Sequence, residues 1–213
     1  MKRAIKWMGV ALGLMALPGA ALAQEERRGV RLPATERGME RDVSVLGQAG
    51  VLTYTGEAAR LTTPGAAYGV AVSTDVVPWV DAELGYQGAV YMTEENISLA
   101  GNQFRILENG GQALAKVGPD GLMLEPYVLT GLTVTRQSVI GTPGPEVPVT
   151  DGNRFKLPVG AGVDWEIPTR GAGDLRLGAR ATYNFGLNGA GYTTLGASST
   201  NQFLGTVQVG GSW

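Results

Sequence analysis

The side chains with chemical potential in this sequence are carboxylates and bases, and they recur in step with one another. Asp81 and Glu83, then Asp164 and Glu166, sit two residues apart, and Glu125, Asp174, Arg176 and Arg180 fall in runs of the same spacing. On an extended chain, residues i and i+2 project to one face. Two acids placed so can divide general-acid and general-base duty, whereas bases on the same face, here Lys116, Arg154, Lys156, Arg176 and Arg180, would neutralise them as ion pairs. Little other chemistry is open to the chain. Its 213 residues include no His and no Cys. That excludes Ser-His-Asp and Cys-His machinery, Cys-ligated zinc and iron–sulfur sites, and a disulfide framework. No catalytic residue, metal or cofactor is expected: the Gly-x-Gly repeats fall within extended segments, not before a helix whose N-terminus would hold phosphate. With 17 basic and 19 acidic residues, net −2, there is no electrostatic footprint for nucleic acid.

The elements that must position these charges are strands. The 33 glycines follow no fixed period and argue against long helices. From Val43 onward the hydrophobic period is two. Leu175, Leu177, Ala179, Ala181, Tyr183 and Phe185 alternate with Asp174, Arg176, Gly178, Arg180, Thr182 and Asn184. The stretches beginning at Val80 and Phe155 do the same. Such alternation over about 9–11 residues or more suits a tilted membrane-spanning strand. Eight strands are predicted, at 43–54, 66–75, 79–92, 112–117, 122–136, 154–167, 174–185 and 202–213, the fourth beginning as early as Phe104. Short connections (76–78, 118–121, 168–173) alternate strictly with long ones (55–65, 93–111, 137–153, 186–201). That is the pattern of an up-and-down barrel with turns at one rim and loops at the other, and an even strand number returns both ends to the same rim. Pro126 and Pro158 fall inside strands, where each predicts a local bulge or a lost ladder bond.

Alternation alone does not say which face meets lipid. The apolar faces of the strands at Val80, Phe155 and Leu175 carry no charge, and a charge there would cost about 2–4 kcal/mol at the bilayer midplane. The polar faces hold Gly85, Gly131, Gly160, Gly162 and Gly178, small residues that a narrow lumen needs beside long charged ones. Aromatic residues gather near strand ends, Trp165 and Trp213 by the short turns, and Tyr68, Phe155, Tyr183, Phe185 and Phe203 by the long loops. Two such girdles fit rings at headgroup depth. The fold class predicted is therefore all-β: an eight-stranded antiparallel up-and-down transmembrane β-barrel. Its lumen is expected to hold an ion-pair network of Asp81, Glu83, Glu125, Asp164, Glu166, Arg176 and Arg180, with Glu83 meeting Arg180 and Asp164 or Glu166 reaching Arg176.

Residues 1–23 read as a cleaved secretory signal, with Lys2, Arg3 and Lys6 before an apolar run and Ala21-Leu22-Ala23 at the cleavage site. Residues 24–42, with five Arg and five acids, read as a flexible periplasmic segment ahead of the barrel at 43–213.

The last strand, Phe203-Leu-Gly-Thr-Val-Gln-Val-Gly-Gly-Ser-Trp213, ends on an aromatic residue and resembles the C-terminal signal by which outer-membrane barrels are recognised for assembly. Pro126-Tyr-Val-Leu-Thr-Gly131 and Leu157-Pro-Val-Gly-Ala-Gly162 resemble strands of small barrels of the OmpA/OmpX type. The resemblance covers 43–213 and carries no peptidoglycan-binding domain. It implies a bacterial outer-membrane location, contact with outer-membrane lipid and lipopolysaccharide, and the barrel-assembly machinery as a partner through the strand ending at Trp213. The expected function is a monomeric, non-enzymatic barrel that contributes to envelope integrity or to surface interaction through its long loops. The alternatives are a small low-conductance pore and, disfavoured by the missing His, a lipid-modifying enzyme.

Overall fold

The computed structural model describes residues 43–60, 62–93, 105–119, 122–140, 152–170, 173–187 and 201–213. The expected signal at 1–23, the segment 24–42 and the central parts of three long loops lie outside the described residues. The strands are β1 (Val43–Tyr54), β2 (Gly65–Val77), β3 (Val80–Met92), β4 (Arg105–Val117), β5 (Leu124–Ile140), β6 (Gly152–Ile167), β7 (Asp174–Gly186) and β8 (Gln202–Ser212). Each pairs antiparallel with its neighbour in sequence, and β1 pairs with β8, so the sheet closes as an up-and-down barrel. The closing seam runs from Ser44 opposite Ser212 to Tyr54 opposite Gln202. Beyond it, Val43 and Trp213 exchange both backbone hydrogen bonds at 3.1 Å.

Alternate residues divide cleanly between the two faces. Leu84, Val128, Val159 and Val207 are exposed on the outer wall, while Glu83, Lys116, Lys156 and Gln208 are buried inside. An apolar exterior around a charged interior is the inverse of a soluble core and is the arrangement of a barrel that crosses a membrane.

Two strands run further toward the long loops than their sequence pattern predicts: β5 continues to Ile140 and β6 begins at Gly152. β4 starts at Arg105, next to the earlier of its expected starts, Phe104, and not at residue 112. In 105–111 the polarity rule breaks: Ile106 points inward and Arg105 and Asn109 point outward, so the two-residue period is masked. As a result Glu108 belongs to the lumen and not to a loop. Trp79 moves the other way, out of β3 and into the turn from β2, where it holds a left-handed φ of 78°. The connection 55–65 contains a 3₁₀ turn, Gly56–Arg60.

Pro158 marks lost ladder positions, whereas Pro126 keeps its pair with Val163 of β6. The β5–β6 register stays constant, but the pairs that Gly131 and Leu132 would form with Pro158 and Leu157 are missing between Thr130–Val159 and Thr133–Lys156. Pro126 lies below the last β4–β5 pair, Val117–Val128, where β5 has lost one neighbour. The irregularity in register falls instead at Asp75/Val77, beside the turn to β3.

Candidate functional site: the charged lumen

Two clusters occupy the barrel interior, stacked along its axis. The lower one, toward the short turns, centres on Glu83 of β3. Its carboxylate accepts both terminal nitrogens of Arg180 from the opposite wall, Nη1 to Oε1 at 2.9 Å and Nη2 to Oε2 at 2.7 Å. This is the bidentate fork that makes guanidinium–carboxylate pairs strong and directional. Lys116 of β4 lies 3.1 Å from the same carboxylate and 3.6 Å from Asp164 of β6. Asp164 in turn lies 3.5 Å from Arg176 Nε, and Arg176 reaches Glu125 at 2.9 Å and donates to Ser44 Oγ at 2.8 Å. Three acids and three bases thus form one chain of contacts spanning β3 to β7. The side chains of Glu83, Lys116 and Asp164 are 0%, 2% and 2% exposed, so water does not reach the middle of the lumen.

The remaining acids sit nearer the rim. Glu166 faces Arg176 in register and accepts from Ser212 Oγ at 3.0 Å. Asp81 is half-buried and in register with Lys116. Asp174 accepts from the Thr169 backbone at 3.0 Å and so holds the last short turn instead of joining the network.

Tyr127 of β5 lies in the lower cluster although the sequence reading passed over it. Arg180 Nε donates to its hydroxyl at 3.3 Å, and the Lys116 ammonium stands 5.0 Å from its ring centroid, within cation–π range. Its parity with Glu125, two residues earlier, is the signal that could have found it. Gln112 and Gln208 complete the shell, donating to Glu83 at 3.3 Å and to Gln48 at 3.3 Å.

The upper cluster was not anticipated. Buried Lys156 of β6 donates to Glu108 of β4 and, at 2.6 Å, to Gln202 of β8, which donates back to Glu108 at 3.2 Å. Above this pair the lumen turns apolar. Leu52, Tyr54, Ala67, Ala89, Tyr91, Ile106 and Leu204 form one buried cluster, and the 3₁₀ turn adds Ala58 to it. The Tyr54 and Tyr91 hydroxyls meet at 2.7 Å, and Gln137 donates to both. Apolar side chains occupy much of the end of the lumen nearest the long loops, where Gln137 and Arg154 are also buried, and ion pairs, neutral polar groups and the smaller Leu114–Tyr127–Leu129 cluster occupy the rest.

A general base needs a free lone pair within reach of a substrate, yet the Glu83 carboxylate is held by Arg180, Lys116 and Gln112.

On the outer wall, Tyr68, Phe155, Phe185 and Phe203 are exposed near the long-loop rim, and Trp165 and Trp213 near the short-turn rim. Tyr183 shares the upper ring, edge-on to Phe185 with centroids 4.8 Å apart and its hydroxyl 2.9 Å from Thr55 Oγ1. Trp79 and Tyr86 join the exposed aromatic residues. Tyr68 and Tyr86 both donate to Asn109 Oδ1, at 2.9 and 2.7 Å. The Tyr68 ring crosses Gly88, where a Cβ would lie 2.6 Å from Tyr68 Cε2 and 2.7 Å from Asn109 Oδ1. Gly88→Val is therefore expected to displace the ring and cost about 1–2 kcal/mol in urea unfolding from lipid vesicles, with Gly88→Ala costing less.

No family model matches this chain, and no curated protein sequence does. Among solved structures it is similar to the N-terminal β-barrel domain of Pseudomonas aeruginosa OprF, at 16% identity and a TM-score of 0.45, covering 80% of this chain and 97% of that one. It is similar to Neisserial surface protein A at 14% identity and a TM-score of 0.47, covering 80% and 95%. The third is Ail of Yersinia pestis, in complex with the heparin analogue sucrose octasulfate, at 12% identity and a TM-score of 0.48, covering 82% and 98%.

Proposed function

We propose that this chain is a non-enzymatic barrel of the bacterial outer membrane, closed to ion flow, that braces the envelope and presents its long loops to surface partners. The observation that carries this reading is the occluded lumen. Its midsection is crossed by the Glu83–Arg180 pair, with Lys116 and Asp164 packed against it at no more than 2% exposure. In an eight-stranded barrel the side chains fill the bore. The apolar belt and aromatic rings support residence in a bilayer, and the expected export signal and aromatic-terminated last strand support the outer membrane.

Planar-bilayer recording tests closure. The wild-type protein is expected to give no stable wide channel, and steady wide conductance would overturn the reading. Arg180→Ala is expected to lower the unfolding temperature in detergent without opening such a channel, because Lys116 still holds Glu83 and the apolar cluster still closes the upper end. Gels of purified outer membranes test location. A folded barrel migrates differently from its boiled form, so an unshifted band in the soluble periplasmic fraction would contradict it.

A further inference from the structure

The two halves of the lumen differ in how their buried charges balance. The lower cluster sets three acids, Glu83, Glu125 and Asp164, against three bases, Lys116, Arg176 and Arg180. Among the described residues the upper half buries two bases, Arg154 and Lys156 at 5% and 1% exposure, against one acid, Glu108 at 1%. Excess charge of one sign is costly away from water, so a further negative charge at this level is favourable.

The same stretch of wall holds hydrogen-bonding groups with nothing to bond. Thr133 and Thr135 of β5 and Asn184 of β7 are 1%, 2% and 2% exposed. Their two hydroxyls and the Asn184 amide nitrogen make no hydrogen bond among the described residues. No carboxylate or amide oxygen is left over beside them, since the orphaned carboxylate oxygens belong to Asp164 in the lower cluster. What lies unused here is therefore suited to an acceptor.

Strand register gathers these groups on one patch. Thr133 lies opposite Lys156 and Thr135 opposite Arg154 across β5–β6, and Asn184 lies opposite Pro158, two residues along β6 from Lys156. Side chains directly opposite start about 4.5–5.5 Å apart and diagonal ones about 7–8 Å. Lys156 spends two donors on Glu108 and Gln202, and an ammonium carries three. Much of the remaining circumference at this level is apolar, with Leu52, Ala67, Ala89 and Leu204 drawn from β8 and β1–β3. Charges beside such a wall are screened little.

We propose that Thr133, Thr135 and Asn184, beside Arg154 and Lys156, form a buried binding site for one small monovalent anion of the halide class. The anion accepts from the two hydroxyls and the amide, and it gives the upper half of the lumen the charge balance that the lower half has from its own acids. A halide suits the place because it is compact and accepts hydrogen bonds from several directions at once. It enters as the barrel folds and leaves the lumen closed.

Urea unfolding of the refolded chain in lipid vesicles, in sodium chloride and in sodium gluconate of equal ionic strength, tests the site. Gluconate supplies the charge but is too large to enter. A ligand that binds only the folded state at ten times its dissociation constant raises the folding constant about tenfold, which moves the midpoint by roughly 0.5–1.4 M urea. Chloride and bromide are expected to raise the midpoint over gluconate, and the double variant Thr133→Val, Asn184→Leu is expected to lose that difference. Equal midpoints in chloride and gluconate would overturn the proposal, as would a difference that persists in the folded variant. Crystals of the wild-type protein grown with sodium bromide give a second reading, in which an anomalous peak within hydrogen-bond distance of Thr133 Oγ1 and Asn184 Nδ2 is expected. A water molecule or no peak at that place refutes the site, and this map decides alone if the variant does not fold. Neither measurement depends on which membrane holds the barrel.

Discussion

Glu83→Ala is expected to destabilise the folded barrel by about 3–5 kcal/mol, the cost of leaving buried charges without their partner. Glu83 is the hub of the lower cluster: Arg180 grips both of its oxygens, Lys116 lies 3.1 Å away, and Gln112 donates to it. Its removal strands two cations in a space that water does not reach. Lys116 keeps a longer contact to Asp164 at 3.6 Å, and Arg180 keeps the Tyr127 hydroxyl at 3.3 Å, but neither replaces a bidentate carboxylate. Glu83→Gln retains the shape and the acceptor oxygen and is expected to cost less. Arg180→Ala is expected to cost less as well, because Lys116 continues to satisfy the carboxylate. Urea unfolding from lipid vesicles, followed by tryptophan fluorescence and by gel shift, measures all three. If Glu83→Ala unfolds at the wild-type midpoint, the pair contributes nothing and the lumen is held by packing alone.

The second large effect belongs to the wall itself. At Gly50 of β1, a Cβ would fall far inside van der Waals contact distance of the Gly205 carbonyl oxygen and 2.8 Å from Thr206 Cα, both on β8. The obstacle is backbone across the closing seam, so no rotamer change relieves it. Overpacking ordinarily costs about 1–3 kcal/mol, and here the two strands must move apart. Gly50→Val is expected to exceed that range and to abolish the heat-modifiable folded band on refolding. Ala49→Val is its control: the same strand and the same final side chain, on the exposed outer face, where the seam is not affected. Equal yields of folded protein from the two variants would show that the seam tolerates the side chain.

The alternation of polar and apolar residues made the eight strands and the inside–outside assignment legible, because a membrane barrel must obey that rule wherever it meets lipid. The rule lapses above the lipid. Near the long loops Ile106, Leu52 and Tyr91 turn inward and Arg105 and Arg136 outward, so the start of β4 was left between Phe104 and Gln112, and Glu108, the partner of Lys156, was not placed in the lumen. The lower cluster was legible by face, and the sequence reading pairs Glu83 with Arg180, 97 residues away, as the structure does. The contacts of Lys116 and Glu125 depend on strand tilt, set by closure and not by any local pattern. Gln112 and Gln208 were invisible for a plainer reason, since neutral amides on a polar face carry no sign to match.

Val43 and Trp213 close the ring with a mutual pair of backbone hydrogen bonds, so the wall has no structurally privileged first strand. A short linker between these residues, with new ends opened in one of the long connections, would give a circular permutant with every strand pair intact. Refolding into lipid vesicles depends on those pairs and should proceed. Assembly in a cell, where the strand ending at Trp213 is expected to be read as an address, would be lost. Such a permutant separates what the barrel needs in order to exist from what it needs in order to be delivered.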